Sequence, residues 1–169
     1  VCSNHQNNLD PIVIGCICPR RLNFLARKKL FKFPLGMFLR VLDAISIDRD
    51  GMGIGGMKET LRRLRKNEPM LMFPEGQPSS DGNLLPLMKG FVALVKRVPT
   101  TIVPVGIEGA HDAWPRGAKF PRPGQIQVVV GQPIDNAEIV GLSDEEISQL
   151  LFDRILECLL EARRHYHHV

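Results

Sequence analysis

The chain has 169 residues, 44% of them hydrophobic and 24% charged, and a net charge of +4. That length and balance suit one globular domain with a sizeable core and exclude a disordered or fibrous chain. The mild positive charge suits anionic partners without choosing among them, while a single Trp and a single Tyr leave little on which to stack bases and weigh against nucleic acid.

No apolar run approaches the ~18 residues of a membrane span, and no signal peptide opens the chain. The chain begins at Val1, inside an expected strand, so an upstream segment is expected. Cys2, Cys16, Cys18 and Cys158 lack paired Cys-x-x-Cys spacing, which argues against zinc. Cys16 and Cys18 lie in an apolar run and read as buried thiols in a reducing compartment.

The first informative stretch is Ser3-Asn4-His5-Gln6-Asn7-Asn8-Leu9-Asp10, followed by Pro11 and the apolar Ile12-Val13-Ile14. Asp is a preferred N-cap and Pro a preferred first helical residue, so a short helix is expected from Asp10 with His5 in the loop before it. On one helix, residues five apart diverge by about 140°, but across a loop the Asp10 carboxylate can fold back to the His5 ring. A carboxylate on one ring nitrogen sets the tautomer and leaves the other nitrogen to accept a proton.

Residues 22–26 read as a strand. Residues 27–42 mix Arg27, Lys28, Lys29, Lys32 and Arg40 with large apolar side chains. That pattern fits a segment lying at a membrane surface, or else two short helices packed on the core with solvated lysines. Ile45-Ser46-Ile47-Asp48-Arg49 alternates as a strand does, with Arg49 at its end. The Gly-rich run 51–56 lacks the Lys-Ser/Thr ending of a nucleotide-binding loop. It leads into a helix expected from Met57 to Lys66, with Leu61 and Leu64 inward and Lys58, Arg62, Arg63 and Arg65 towards solvent.

Pro69 to Phe73 reads as a buried strand ending in Pro74-Glu75-Gly76 and a polar loop, the kind of place where open α/β sheets keep their sites. Lys89-Gly90 opens a helix, Phe91 to Val98. Thr101 to Gly106 is a strand interrupted by Pro104, which predicts an edge or a bulge. Residues 107–123 read as irregular, Gln125 to Val130 as a final strand, and Pro133 to Leu142 as a linker. Ser143-Asp144-Glu145-Glu146 caps a long amphipathic helix, 143–164, with an apolar face of Ile147, Leu150, Leu151, Ile155, Leu159 and Leu160. The tail His165-Tyr166-His167-His168 reads as a disordered terminus. Strands alternating with helices predict a single α/β domain over residues 1–169, with a mixed, mainly parallel sheet flanked by helices.

Four of these segments, in order, resemble the motifs of the glycerolipid acyltransferase family, typified by lysophosphatidic acid acyltransferases of the PlsC kind. Asn4-His5 and Asp10 match Asn-His-x-x-x-x-Asp; Ile45 to Arg49 matches an apolar strand ending in arginine. Phe73-Pro74-Glu75-Gly76 matches Phe-Pro-Glu-Gly, and Ile102-Val103-Pro104-Val105 matches an apolar strand with an internal proline. Lys89-Gly90 looks like the Lys-x-Gly turn that often follows the third motif. One departure stands out: the family usually continues its third motif with Thr-Arg-Ser, and here the residues are Gln77-Pro78-Ser79.

The resemblance implies transfer of a fatty acyl group from acyl-CoA or acyl-carrier protein, as co-substrate, to the hydroxyl of a lysolipid at the cytoplasmic face of a membrane. No other cofactor and no metal are implied. His5 is expected as general base and Asp10 as its partner, without an acyl-enzyme. Arg49, Glu75, Gly76 and Lys89 are the expected substrate-binding residues. Arg49 suits an acceptor phosphate or a structural ion pair; Glu75 suits orienting Arg49 or Lys89, or a substrate hydroxyl. Backbone N–H groups near Gly76 are candidates for an oxyanion site. The missing arginine gives weight to other acceptors: a lysophospholipid, an amino-acid lipid or another alcohol. A non-catalytic membrane-docking domain is the reading from another class, and it leaves the His5–Asp10 pair without a purpose.

Overall fold

The computed structural model describes residues 1–27, 44–47, 53–115, 117–118 and 120–167. Arg49 and, apart from Arg27, the basic segment 27–42 lie outside the described residues. Strand β1 (Cys2–Ser3) leads through the histidine loop into α1 (Asp10–Ile17), and β2 (Asn23–Arg27) follows. Next come β3 (Ile45–Ile47), α2 (Gly53–Arg65), β4 (Met70–Leu71) and α3 (Gly90–Val95). Then β5 (Pro104–Glu108), the single-turn α4 (Ala110–Ala113), β6 (Gln127–Val130), α5 (Asn136–Ile139) and the long α6 (Asp144–His167) complete the chain.

The strands form two three-stranded ladders, β3-β2-β4 and β1-β5-β6, joined by a parallel bridge between Cys2 and Met72. The combined order is β3-β2-β4-β1-β5-β6, parallel except for β6, which runs antiparallel to β5. Alternation along the strands divides the core. Leu71 and Val105 pack with Ile14 of α1, whereas Cys2 joins Phe91 and Val92 of α3 and Ile147, Leu151 and Ile155 of α6. Helices thus cover both faces, as a buried parallel sheet requires. The result is the expected single α/β domain with a mainly parallel sheet.

Several details depart from the expectation. Pro104 lies neither on an edge nor in a bulge. It is the first residue of β5, which is paired on both sides, and a first residue tolerates the missing N–H. The expected linker contains α5, opened by an Asp135–Glu138 capping box. The Gly-rich run enters α2, which begins at Gly53 rather than at Met57. Arg63 is not on the solvent side; its guanidinium is buried against Glu59 and the Asn23 side chain.

In α6 the Ser143–Glu146 capping box opens the helix as expected. Its buried stripe uses Cys158 and Ala162, while Leu160 faces out. Residues 165–167 continue the helix rather than fray, held by Tyr166 Oη donating to Asp112 Oδ2 at 2.8 Å. Cys16 is exposed and Cys18 half-buried, because only Asp10 and Ile14 of α1 face the interior.

Candidate active site

The site lies at the carboxyl ends of the central parallel strands. There β1 is neighbour to β4 on one side and β5 on the other, so loops some 70 and 103 residues apart in sequence converge on His5. Asn4 starts the arrangement. Its buried carboxamide accepts from Ile107 N at 2.8 Å and donates to Ile107 O at 2.9 Å. A side chain takes over the pairing that the backbone of β1 made with β5, and the chain can leave the sheet at His5.

The loop then folds back. His5 Nδ1 lies 2.7 Å from Asp10 Oδ2, and the same oxygen accepts from Gln6 N at 2.6 Å and Asn7 N at 2.9 Å. Asp10 is fully buried. The N-cap of α1 is Leu9 rather than Asp10, with Pro11 in the first turn. The Asp10 carboxylate therefore turns away from its own helix and gathers the preceding loop. Asn7 closes the loop from the other side: its Oδ1 accepts from Leu9 N at 2.7 Å and its Nδ2 donates to the carbonyls of Ala110 and Trp114.

His5 is held by its backbone, by Nδ1 and by one ring face. Its N–H donates to Glu75 Oε1 at 2.7 Å, and its carbonyl accepts from Ser79 N at 2.8 Å. Its ring stacks on Phe73 with centroids 4.1 Å apart and planes 18° apart. With Nδ1 bound to a carboxylate, Nδ1 carries the proton and Nε2 is the basic nitrogen. Among the described residues nothing bonds Nε2, and the side chain stays 15% exposed. The ring edge stays open to solvent while the rest is fixed.

Glu75 is buried, and its two oxygens serve the backbone: Oε1 takes His5 N and Oε2 takes Leu85 N at 2.9 Å. Burial pushes its carboxyl above the usual range, against the pull of the Leu85 and His5 amides. It is not paired with Lys89. That ammonium is exposed and lies 3.4 Å from Glu145 at the start of α6. Gly76 sits at φ +73°, a left-handed conformation that favours glycine, and the nearby side chain of Met88 is flexible enough to leave the backbone as the constraint. The Gly76 N–H donates to Phe73 O at 3.0 Å and is therefore no free oxyanion donor.

The structure thus brings His5, Asp10, Glu75 and Gly76 together and leaves Lys89 at the surface. From the sequence, Asn4 counts only as a member of the first motif, and Gln6, Asn7 and Ser79 carry no assigned role. The dense run of amides beside the histidine is the local signal for the first three, and Ser79 has none.

The family model described as Acyltransferase matches residues 1–108. The chain belongs to that family. It is 37% identical over 137 residues to a protein of Limnanthes alba named 1-acyl-sn-glycerol-3-phosphate acyltransferase, covering 79% of this chain and 49% of that protein. A Bacillus subtilis protein of the same name is 26% identical over 163 residues, covering 93% of this chain and 79% of its own. The chain spans about half the length of the plant relatives it matches. The crystal structure of the 1-acyl-sn-glycerophosphate (LPA) acyltransferase PlsC from Thermotoga maritima has the same fold. Its TM-score is 0.80 at 24% identity, covering 96% of this chain and 65% of that one.

Proposed function

We propose that the protein transfers a fatty acyl group from acyl-CoA or acyl-carrier protein to the hydroxyl of a 1-acyl-glycerol-3-phosphate-type acceptor. The observation that carries this reading is the 2.7 Å contact of His5 Nδ1 with a buried carboxylate, leaving Nε2 unbonded among the described residues. The names of the relatives supply the substrate class.

Nε2 accepts the proton of the acceptor hydroxyl as its oxygen attacks the thioester carbonyl carbon. Asp10 stabilises the imidazolium so formed. The tetrahedral intermediate collapses with cleavage of the C–S bond, and the departing thiolate takes the proton from His5. No side-chain nucleophile is needed. Ser3, next to the loop, is fully buried inside the sheet. The reading invokes no cofactor besides the thioester. Arg49 takes the acceptor phosphate in this proposal, while Glu75 and Gly76 shape the loop that presents His5. Lys89 is assigned no substrate contact.

No helix among the described residues is long and apolar enough to cross a membrane. The proposed setting is the cytoplasmic face of a membrane, where the lysolipid resides, with residues 27–42 at the lipid surface.

A second acceptor class is favoured by Pro78, which stands exposed where the family's arginine is usual and offers no donor. The test is thiol release from acyl-CoA against lysophosphatidic acid, a neutral lysophospholipid, an amino-acid lipid and a simple alcohol. Acceptor-dependent release that vanishes in His5→Ala supports acyl transfer, and the preferred acceptor separates the two readings. Release without any acceptor would indicate a thioesterase. Lack of release with every acceptor would leave a docking domain.

A further inference from the structure

The last two turns of α6 reach both loops that flank the histidine loop. Arg163 Nε donates to Glu108 Oε2 at 2.8 Å, and its Nη2 donates to Gly82 O at 2.8 Å and Asn83 Oδ1 at 3.3 Å. A single planar fork therefore ties the end of β5 to the turn after Ser79. One turn on, Tyr166 bonds Asp112, and its ring covers Gly109, 2.5 Å from where a Cβ would stand.

Both tied loops grip the residues that shape the His5–Asp10 pair. Ser79 N–H holds the His5 carbonyl, and Ser79 Oγ donates to Asp81 Oδ1 at 2.8 Å, which also accepts from Asn83 N at 3.0 Å. The 79–83 turn is thus one hydrogen-bonded unit with Arg163 at its far end. From the β5 side, His111 N donates to Gln6 Oε1 at 3.2 Å and Ala110 O accepts from Asn7 Nδ2. Gln6 and Asn7 are the two residues whose backbone amides hold Asp10 Oδ2. Gly82 lies between the two systems: a Cβ there would be 3.5 Å from Gln6 Nε2 and 3.8 Å from Arg163 Nη2.

We propose that Arg163 is a positioning residue of the acyl-transfer site, fixing through Gly82 and Glu108 the geometry in which the histidine loop holds the His5 ring against Asp10. It touches neither reacting group. It lies in the C-terminal helix, outside residues 1–108 that carry the family match. The role rests on His5 as general base, so its test needs one readout besides turnover.

In the full chain, Arg163→Ala is expected to lower kcat ~10- to 100-fold with KM for both substrates within about twofold, the loss that a misplacement of about 1 Å produces. The downfield proton resonance of His5 Nδ1–H, identified by its loss in His5→Ala, is expected to shift or broaden. Arg163→Lys keeps a cation for Glu108 but has one nitrogen in place of the fork whose Nε and Nη2 reach Glu108 and Gly82 separately, and falls between wild type and Arg163→Ala in both readouts. Should Arg163→Ala fail to fold, Arg163→Lys carries the test alone. An unaltered resonance in the folded variants, or kcat within about threefold of wild type, would overturn the assignment. Absence of turnover in the wild type would refute the acyl-transfer reading instead, and the resonance would still decide the role of Arg163.

Discussion

Replacing Asp10 by Asn isolates the charge in the His5–Asp10 pair. The amide is nearly isosteric, and its carbonyl can still accept from Gln6 N, Asn7 N and His5 Nδ1 at the place of Oδ2. What disappears is the attraction between the carboxylate and the imidazolium formed as the acceptor hydroxyl is deprotonated. Two unit charges about 4 Å apart attract by ~4 kcal/mol at an effective dielectric constant near 20. The carbonyl dipole of Asn retains part of this, leaving a loss of ~3–4 kcal/mol, or ~10²–10³-fold in kcat. The fold bears a smaller cost. Asp10 Oδ1 is buried without a partner among the described residues, and an amide nitrogen in its place is an unsatisfied donor costing ~1–3 kcal/mol. Acceptor-dependent thiol release should be measured well below the unfolding midpoint, with circular dichroism confirming the fold. A loss under about fivefold would show that the charge of Asp10 does not assist proton transfer, and that its contact with His5 is structural.

Three further outcomes follow from the geometry. Glu75→Gln leaves one acceptor for two backbone donors, so kcat should fall about tenfold with acceptor KM unchanged; a rise in KM instead would restore Glu75 as a substrate ligand. Gly76→Ala forces a left-handed alanine against Met88, a flexible and 52% exposed side chain that can move, so backbone strain of ~1–3 kcal/mol should lower Tm by ~3–10 °C; an unchanged Tm would contradict this. Bonds from Arg62 and Arg63 hold the Glu59 carboxyl down at about 2, against an ordinary 4.5. A lowered value contributes stability above the ordinary value that is lost as pH falls through the shifted one. The gap in urea midpoint between wild type and Glu59→Gln should therefore close between pH 4.5 and about 2, and a gap independent of pH would refute the assignment.

The amino-acid order alone marked out candidate residues and their local settings. His5 in a loop, Asp10 at a helix start, Phe73-Pro74-Glu75-Gly76 as a strand-end turn and a capped helix from Ser143 all rest on short-range rules, of capping, proline geometry and periodicity, that act within a few residues. The same short range explains the misreadings. Pro104 marks an edge only if nothing pairs beyond it, and α5 is a single capped turn whose Ile139 the fold buries. Residues 165–167 stay helical because Tyr166 finds Asp112 across 54 positions. Which groups meet was a tertiary decision. Setting β1 between β4 and β5 put Glu75 and Ser79 on the backbone of His5, gave Asn4 the amide and carbonyl of Ile107, and brought Arg163 to the neighbouring loops. Hydrogen-bond partners 55 to 103 residues apart leave no periodic trace along a chain, because strand order, not spacing, sets the distance between them.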